Sequence, residues 1–194
     1  DGNGSTETIL CNYKNGSYYP LLGLDELASQ IVSLRKKFTS YKSFAGKSID
    51  DIFEKSVLNK ARILEVHTLA SGYLKNENNI FTFIPFKNEL QVSPISAFLE
   101  YDFNADGDNE VLVAGNYFGV SPYQGRFDSF PGALIFNEDK IVLGNKIGLD
   151  FNQKAVKKLN IIQVQNKSYV LATINNDHAQ VYELTHLKDD YKKL

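Results

Sequence analysis

From about residue 61 onward, polar turns divide the sequence into short apolar runs, and this pattern limits the possible folds more than any other feature. The runs include ARILEVHTLASGYL, which begins at residue 61, and NNIFTFIPF, PISAFLEYDF, EVLVAGN and KKLNIIQV, and they recur roughly every ten residues. None approaches the roughly 18 apolar residues of a membrane span. Clusters such as 165–167 and 175–177 read as turns between strands. Short strands with this spacing predict a mostly β protein, built as a sandwich, a barrel or a propeller.

One stretch, at about residues 25–59, departs from this pattern and predicts helices. In DELASQIVSLRKKF the apolar residues recur at helical spacing, with acidic residues in the first turn and basic residues in the last. Ser48 is a good N-cap for a second helix that continues to about Asn59. Before this stretch, a hairpin is predicted around Asn15-Gly16. The helices therefore look like an insertion between strands.

The charge pattern excludes one class of function. The chain has 21 basic and 23 acidic residues, mixed along its length, for a formal net charge of −2. A nucleic-acid-binding face needs basic residues concentrated in one place. The sequence also lacks a GxSxG motif and a glycine-rich phosphate loop. It offers neither a nucleic-acid surface nor a recognisable catalytic motif.

The sharpest motif is DFNADGDNE, at residues 102–110. Side chains with oxygen atoms occupy alternate positions, and a glycine follows the third of them. Ca²⁺ prefers six to eight oxygen ligands, and glycine allows the sharp turn that wraps a loop around an ion. This spacing predicts a Ca²⁺ site with side-chain ligands Asp102, Asn104, Asp106 and Glu110, and with the main-chain carbonyl of Asp108.

Other interpretations of this loop are weaker or remain open. It is not an EF-hand, because the twelfth position is Val113 rather than Glu and both flanks resemble strands. Mg²⁺ demands stricter octahedral geometry, and Zn²⁺ would want His or Cys nearby. The alternative that stays open is a polar turn without metal, since turns favour Asn, Asp and Gly in any case.

The beginning of the chain, DGNGSTE, repeats part of this motif. When Glu7 is aligned with Glu110, Asp1 falls on Asn104 and Asn3 falls on Asp106. Two copies of one motif indicate a repeating architecture. No residue corresponds to the leading acid of the second copy, so we expect the chain to begin inside a loop and the protein to extend upstream. Whether the truncated copy binds metal is left open.

Taken together, a strand, a DxNxDGxxE loop and a second apolar strand running into AGN resemble the FG-GAP/VCBS repeats. The order of segments along the chain is similar to the C-terminal part of bacterial ASPIC/UnbV-type surface proteins. The resemblance implies that residues 1–194 form the C-terminal portion of an integrin-like β-propeller, with about two to three blades. The remainder would lie upstream or come from another chain.

The resemblance also implies a function. It suggests a calcium-stabilised, non-catalytic module, extracellular or at the cell surface, that serves adhesion or binds a protein or glycan. The alternative is a part of a polysaccharide lyase or hydrolase built on a propeller scaffold, because one fold supports many functions.

The aromatic stretch GNYFGVSPYQGRFDSFPG is either a ligand-binding rim or a plain connection pinned by Arg126 and Asp128.

Overall fold

A computed structural model describes residues 4–121, 125–137 and 140–185 of the chain. Strands account for 35% and helices for 16% of it, which confirms a mostly β protein with a small helical segment. The chain divides into two compact units, unit 1 from Asp1 to Val66 and unit 2 from His67 to Leu194. Within the described ranges, no helix is both long and apolar enough to cross a membrane.

Unit 1 begins with the predicted hairpin. Strand β1 covers Cys11–Lys14 and pairs antiparallel with β2, Ser17–Pro20. The turn residues Asn15 and Gly16 have φ angles of 51° and 82°. Asn-Gly tolerates these positive values, and a turn of this kind matches the natural twist of the two strands. The local prediction is confirmed.

Short helices follow the hairpin and form the core of unit 1: α1 Leu24–Gln30, α2 Leu34–Lys37, α3 Tyr41–Phe44, α4 Ile49–Ile52 and α5 Lys55–Leu58. The apolar residues predicted to face inward are all buried, namely Leu27, Ile31, Leu34 and Phe38. The prediction of one continuous helix over about 25–38 is wrong, because Ile31 leaves the helical conformation at φ −121° and ψ 85°. The second helix, predicted from Ser48 to about Asn59, is likewise interrupted at Phe53, at φ −116° and ψ 150°. Ile31 is followed by Val32, and such β-branched residues lose side-chain freedom in a helix.

The start of α4 is fixed by a capping box. The Ser48 hydroxyl accepts a hydrogen bond from the Asp51 N–H, and the Ser48 N–H donates to Asp51 Oδ2 over 2.9 Å. The bond from the Ser48 backbone, followed by the one from its hydroxyl, lowers the pKa of the Asp51 carboxyl. The ionised carboxylate and the Ser48 hydroxyl thus each accept from one backbone N–H group that the regular α-helical hydrogen bonds leave unpaired.

This cap makes the stability of unit 1 depend on pH. Because the pKa of Asp51 is lowered in the folded state, its contribution is present above the unfolded pKa of about 3.9 and is lost as the pH falls through the folded value. We expect Asp51→Asn to lose less stability than the wild type between about pH 6 and about pH 2. Urea unfolding, followed by NMR signals of unit 1, measures this. The control is Asp50→Asn, which removes a charge from the same turn; equal losses in Asp51→Asn and the wild type would contradict the assignment.

Unit 2 consists of antiparallel sheets. Strands β3 and β4 form a hairpin, β5–β6–β7–β8 form a four-stranded sheet in sequence order, and β11–β10–β9 form a three-stranded sheet. The strands are β3 Gly72–Glu77, β4 Ile80–Pro85, β5 Ile95–Tyr101, β6 Glu110–Gly115, β7 Ala133–Ile135, β8 Ile141–Leu143, β9 Val156–Val164, β10 Lys167–Ile174 and β11 Gln180–Glu183.

The main core of unit 2 lies between the four-stranded and the three-stranded sheet. Leu112 and Leu134 come from the first sheet and Val156 and Val170 from the second, and each is at most 1% exposed. Phe151, in the connection before β9, is completely buried in the same cluster. The other face of the four-stranded sheet is partly covered by a smaller cluster, made by Leu90, Val113, Phe130 and Ala133.

The β part of the structure differs from the sequence prediction at residues 62–71 and is less specific about the arrangement of the sheets. The strand predicted from about residue 61 is wrong for residues 62–71, which are neither helix nor strand, and β3 begins only at Gly72. Apolar side chains in this segment are strongly exposed, with Leu69 at 94%. A strand needs hydrogen-bonding neighbours as well as a suitable composition. The sheets of the described residues are several and small, and no propeller is detected among them.

Candidate metal site

The acidic loop connects β5 to β6, and a buried aromatic residue anchors it. Phe103 is 6% exposed, and its ring meets that of Tyr101 edge to face with 5.4 Å between centroids. Its backbone N–H donates to Glu110 Oε2 over 2.9 Å. The start and the end of the loop are therefore tied together and fixed to the core.

The turn of the loop is built around the carboxylate of Asp102. Its Oδ1 accepts from the Asp106 N–H at 3.2 Å and its Oδ2 from the Gly107 N–H at 3.0 Å. Gly107 has a φ of 97°, and a Cβ placed there would meet no atom within 4 Å. The glycine is thus required for its backbone conformation rather than for space, as the motif predicted.

Asn104 lies at the centre of the polar side chains. Its Nδ2 donates to Asp106 Oδ2 at 2.8 Å and to Glu110 Oε1 at 2.9 Å, while its Oδ1 accepts from the Asp106 N–H at 2.8 Å. Asn104 and Glu110 are only 5% and 3% exposed. Three of the five residues predicted as ligands are therefore brought into direct contact.

The pKa values of the Glu110 and Asp106 carboxyls are shifted in opposite directions. Burial raises the pKa of Glu110, and the nearby negative charges of Asp106 and Asp102 act in the same direction. The hydrogen bond from the Asp108 N–H, followed by that from Asn104, lowers the pKa of Asp106. Since Glu110 is buried beside other acids, its charged form would gain from a cation more than that of an exposed carboxylate.

The side chains of the other two predicted ligands, Asp102 and Asp108, lie outside the hydrogen-bonded side-chain cluster of Asn104, Asp106 and Glu110. Asp102 faces backbone N–H groups, as described, and Asp108 is exposed. Across the described ranges, no group of three or more His, Cys, Asp or Glu side chains is assembled as a metal cluster. In the truncated N-terminal copy, Asp1 and Asn3 lie outside the described residues, and Glu7 accepts a hydrogen bond from Ser5 Oγ.

The chemistry of these donors fits a hard cation such as Ca²⁺. All are oxygen atoms, and each carboxylate oxygen has a second lone pair beyond the hydrogen bond it accepts. Asp102, Asn104, Asp106 and Glu110 would hold the ion through side-chain oxygens, and Asp108 through its carbonyl. Asn104 would have to turn Oδ1 instead of Nδ2 toward the ion, which a rotation of its amide achieves, and contacts with the ion would then replace its hydrogen bonds to Asp106 and Glu110.

One important polar residue was missed by reasoning from the sequence. Asn116 follows β6, is 1% exposed and has a φ of 76°. Its Nδ2 donates to the carbonyls of Phe130, Phe151 and Lys154 at 2.9–3.1 Å, and its Oδ1 accepts from the Phe130 N–H at 3.0 Å. It ties the end of the strand that leaves the loop to two distant segments. The sequence signal was the AGN triplet at the end of β6, to which no hydrogen-bonding role was assigned.

The aromatic stretch after Asn116 is described except for residues 122–124. Tyr117 and Phe127 form an isolated β-bridge across it. Arg126 Nε lies 3.9 Å from Asp128 Oδ2, and the guanidinium lies 4.9 Å from the centroid of the Phe118 ring. These contacts agree with an ordered connection, in which the Arg126–Asp128 pair is weak because Arg126 is exposed and its Nε lies as far as 3.9 Å from a half-buried Asp128.

We found no family model, no curated protein and no solved structure that matches the chain.

Proposed function

We propose that the chain is part of a calcium-stabilised, FG-GAP/VCBS-type β-propeller that serves as a non-catalytic binding or adhesion module outside the cell. The observation that carries the proposal is the loop between β5 and β6, in which Asn104 joins Asp106 to a buried Glu110. The two donors that Glu110 has, the Phe103 N–H and Asn104 Nδ2, are uncharged, and a divalent cation would supply the opposite charge that a buried carboxylate beside other acids favours.

The sheet around the loop supports the propeller interpretation. A propeller blade is a four-stranded antiparallel sheet, and β5–β8 form such a sheet in sequence order. The three-stranded sheet would belong to a second blade. The blades that complete a ring would come from the rest of the protein or from another chain.

In this proposal the ion has a structural role. It would hold the β5–β6 turn in one conformation and thereby stabilise the sheet. Calcium sites of extracellular modules typically bind with a Kd of about 10⁻⁴–10⁻³ M, which suits a calcium-rich exterior. The ligand of the module would be a protein or a glycan.

Calorimetric unfolding with and without Ca²⁺ tests the metal proposal. At about 10 mM Ca²⁺, binding with such a Kd stabilises the folded state by roughly 1.4–2.7 kcal/mol, which raises the Tm by several degrees. The same protein in a chelator should lack this rise. Asp106→Asn should abolish the shift, because it removes one ligand charge and keeps the shape of the side chain.

The matched control is Asp108→Asn, two positions away in the same loop. Its side chain is exposed, and the proposal uses only its carbonyl, so this variant should keep the calcium-induced shift. A Tm that Ca²⁺ leaves unchanged would refute the metal proposal. Equal loss of the shift in both variants would refute the ligand assignment.

A further inference from the structure

The connection between α5 and β3 is irregular and exposed along most of its length. Every residue of 59–69 is exposed, and Leu69 reaches 94%. None of residues 62–69 belongs to a strand pair in the sheets of the described ranges. A segment with few buried contacts opens at a low cost in free energy, and proteases cut folded proteins at such places.

The end of α5 determines where this segment becomes accessible to a protease. The Lys60 N–H donates to the Val57 carbonyl at 3.1 Å, and the Ala61 N–H donates to the Leu58 carbonyl at 3.0 Å. The backbone at the Lys60–Ala61 bond is therefore held in a turn, whereas a protease binds its substrate in an extended conformation. Arg62 is the first basic residue beyond these hydrogen bonds, and it is exposed.

A side-chain contact on the other side of Arg62 is easily exchanged for water. The Tyr18 hydroxyl donates to Glu65 Oε1 over 2.9 Å, and both residues are exposed. The net contribution of such a hydrogen bond to stability is small, because water replaces either partner. This bond therefore adds little resistance to local opening.

The other two arginines of the chain lie in structured backbone. Arg35 is in α2 and forms an ion pair of 2.6 Å with Asp25. Arg126 precedes Phe127, whose N–H and carbonyl both pair with Tyr117, at 3.1 and 2.8 Å. A protease would have to break these contacts before it could cut at either arginine.

Each hydrophobic core lies wholly on one side of Arg62. The described members of the unit 1 core fall between Ile9 and Phe53, and those of the unit 2 cores fall between Phe86 and Leu184. A cut after Arg62 thus leaves every core in one piece. Boundaries between independently folded domains typically fall in exposed linkers of this kind.

We propose that the Arg62–Ile63 bond is a processing site for an arginine-specific protease, which cuts the chain into residues 1–62 and 63–194 and leaves both cores folded. Water is the second reactant: the C–N bond breaks, the hydroxyl joins the Arg62 carbonyl carbon, and the proton joins the Ile63 nitrogen. None of the residues in this argument belongs to the loop at 102–110, so the proposed calcium site and this site can fail separately.

Brief digestion of the folded full chain by an arginine-specific protease, with the fragments weighed by mass spectrometry, tests the site. We expect the first cut to give residues 1–62 and 63–194. Arg62→Gln should slow the loss of intact chain at least roughly tenfold, because the other arginines are reached only through local unfolding. Ile63→Pro should do the same while it keeps Arg62, because such proteases do not cut before proline. Arg126→Gln, the matched control, should leave the rate unchanged.

Several results would overturn the inference. A folded chain that resists the protease, when the urea-unfolded chain is cut, would mean that the segment is covered. A first cut after Arg35 or Arg126, or equal rates for Arg62→Gln and the wild type, would place the sensitive bond elsewhere. Two-dimensional NMR of the digest distinguishes processing from degradation: the amides of the buried Val113 and Val170 should keep their positions, and their loss would mean that the cut destroys unit 2.

Discussion

Replacement of Asn116 by alanine is expected to lower the free energy of unfolding of unit 2 by about 3–4 kcal/mol. The substitution removes every hydrogen bond of a side chain that is 1% exposed. It leaves the Phe130 N–H and the carbonyls of Phe130, Phe151 and Lys154 without this partner. The carbonyls of Phe151 and Lys154 keep hydrogen bonds from the N–H groups of Lys154 and Val156. The largest cost therefore falls on the Phe130 N–H and carbonyl, because a buried polar group left unsatisfied pays its full desolvation cost, which is larger than the net value of a hydrogen bond.

Backbone conformation adds to this loss. Asn116 has a φ of 76°, a region that asparagine and glycine tolerate and alanine disfavours by about 1–2 kcal/mol. Asn116→Gly should therefore be less destabilising than Asn116→Ala, although both lack the side-chain bonds. Asn116→Asp should be at least as harmful as alanine, because it turns an acceptor toward three carbonyl oxygens.

Urea unfolding of the three variants measures these differences. A loss below about 1 kcal/mol in Asn116→Ala would mean that water replaces the lost partners, and would contradict the proposed role of the network. If glycine and alanine are equally destabilising, the positive φ contributes nothing to the cost.

The second large effect is expected from Phe151→Ala, at about 3–5 kcal/mol. Phe151 is completely buried, and its ring meets Tyr182 edge to face at 5.5 Å between centroids. Its side chain fills the core between the two larger sheets, so truncation removes apolar contacts and leaves a cavity. Phe151→Leu should cost less, because leucine fills more of the space.

The matched control for this prediction is Phe98→Ala, the same change at a ring that is 55% exposed. It should cost much less than Phe151→Ala when both are measured by urea unfolding, since half of the ring already faces water. Equal losses in the two variants would contradict the placement of Phe151 in the core.

Much of the local structure was predictable because its causes are local. The turn at Asn15-Gly16 needs only residues that accept positive φ, and the turn at Gln165-Asn166 does as well. The apolar spacing from Leu27 to Phe38 identified the buried face of a helical segment. The break at Ile31 was not predicted, since spacing indicates which side is buried and not whether the backbone stays helical throughout.

Features that depend on distant partners were not predictable. Residues 62–71 have the composition of a strand, but nothing in the composition tells whether a neighbouring strand will pair with them. By contrast, the contact of Asn104 with Asp106 and Glu110 was predictable from the alternate oxygens, because it depends only on the spacing of these residues along the chain. Asn116 was missed, since its side-chain partners lie 14 to 38 residues further along the chain.

A Ca²⁺ titration of ¹⁵N-labelled protein, followed by two-dimensional NMR, tests most directly whether the loop between β5 and β6 binds Ca²⁺. If it does, we expect saturable shifts for the amides of Phe103, Asp106 and Gly107, which donate to the loop carboxylates, with a midpoint of about 10⁻⁴–10⁻³ M. The Leu27 amide in unit 1 should not move. Loop amides that stay in place at about 10 mM Ca²⁺, or that shift equally in Asp106→Asn, would contradict the account.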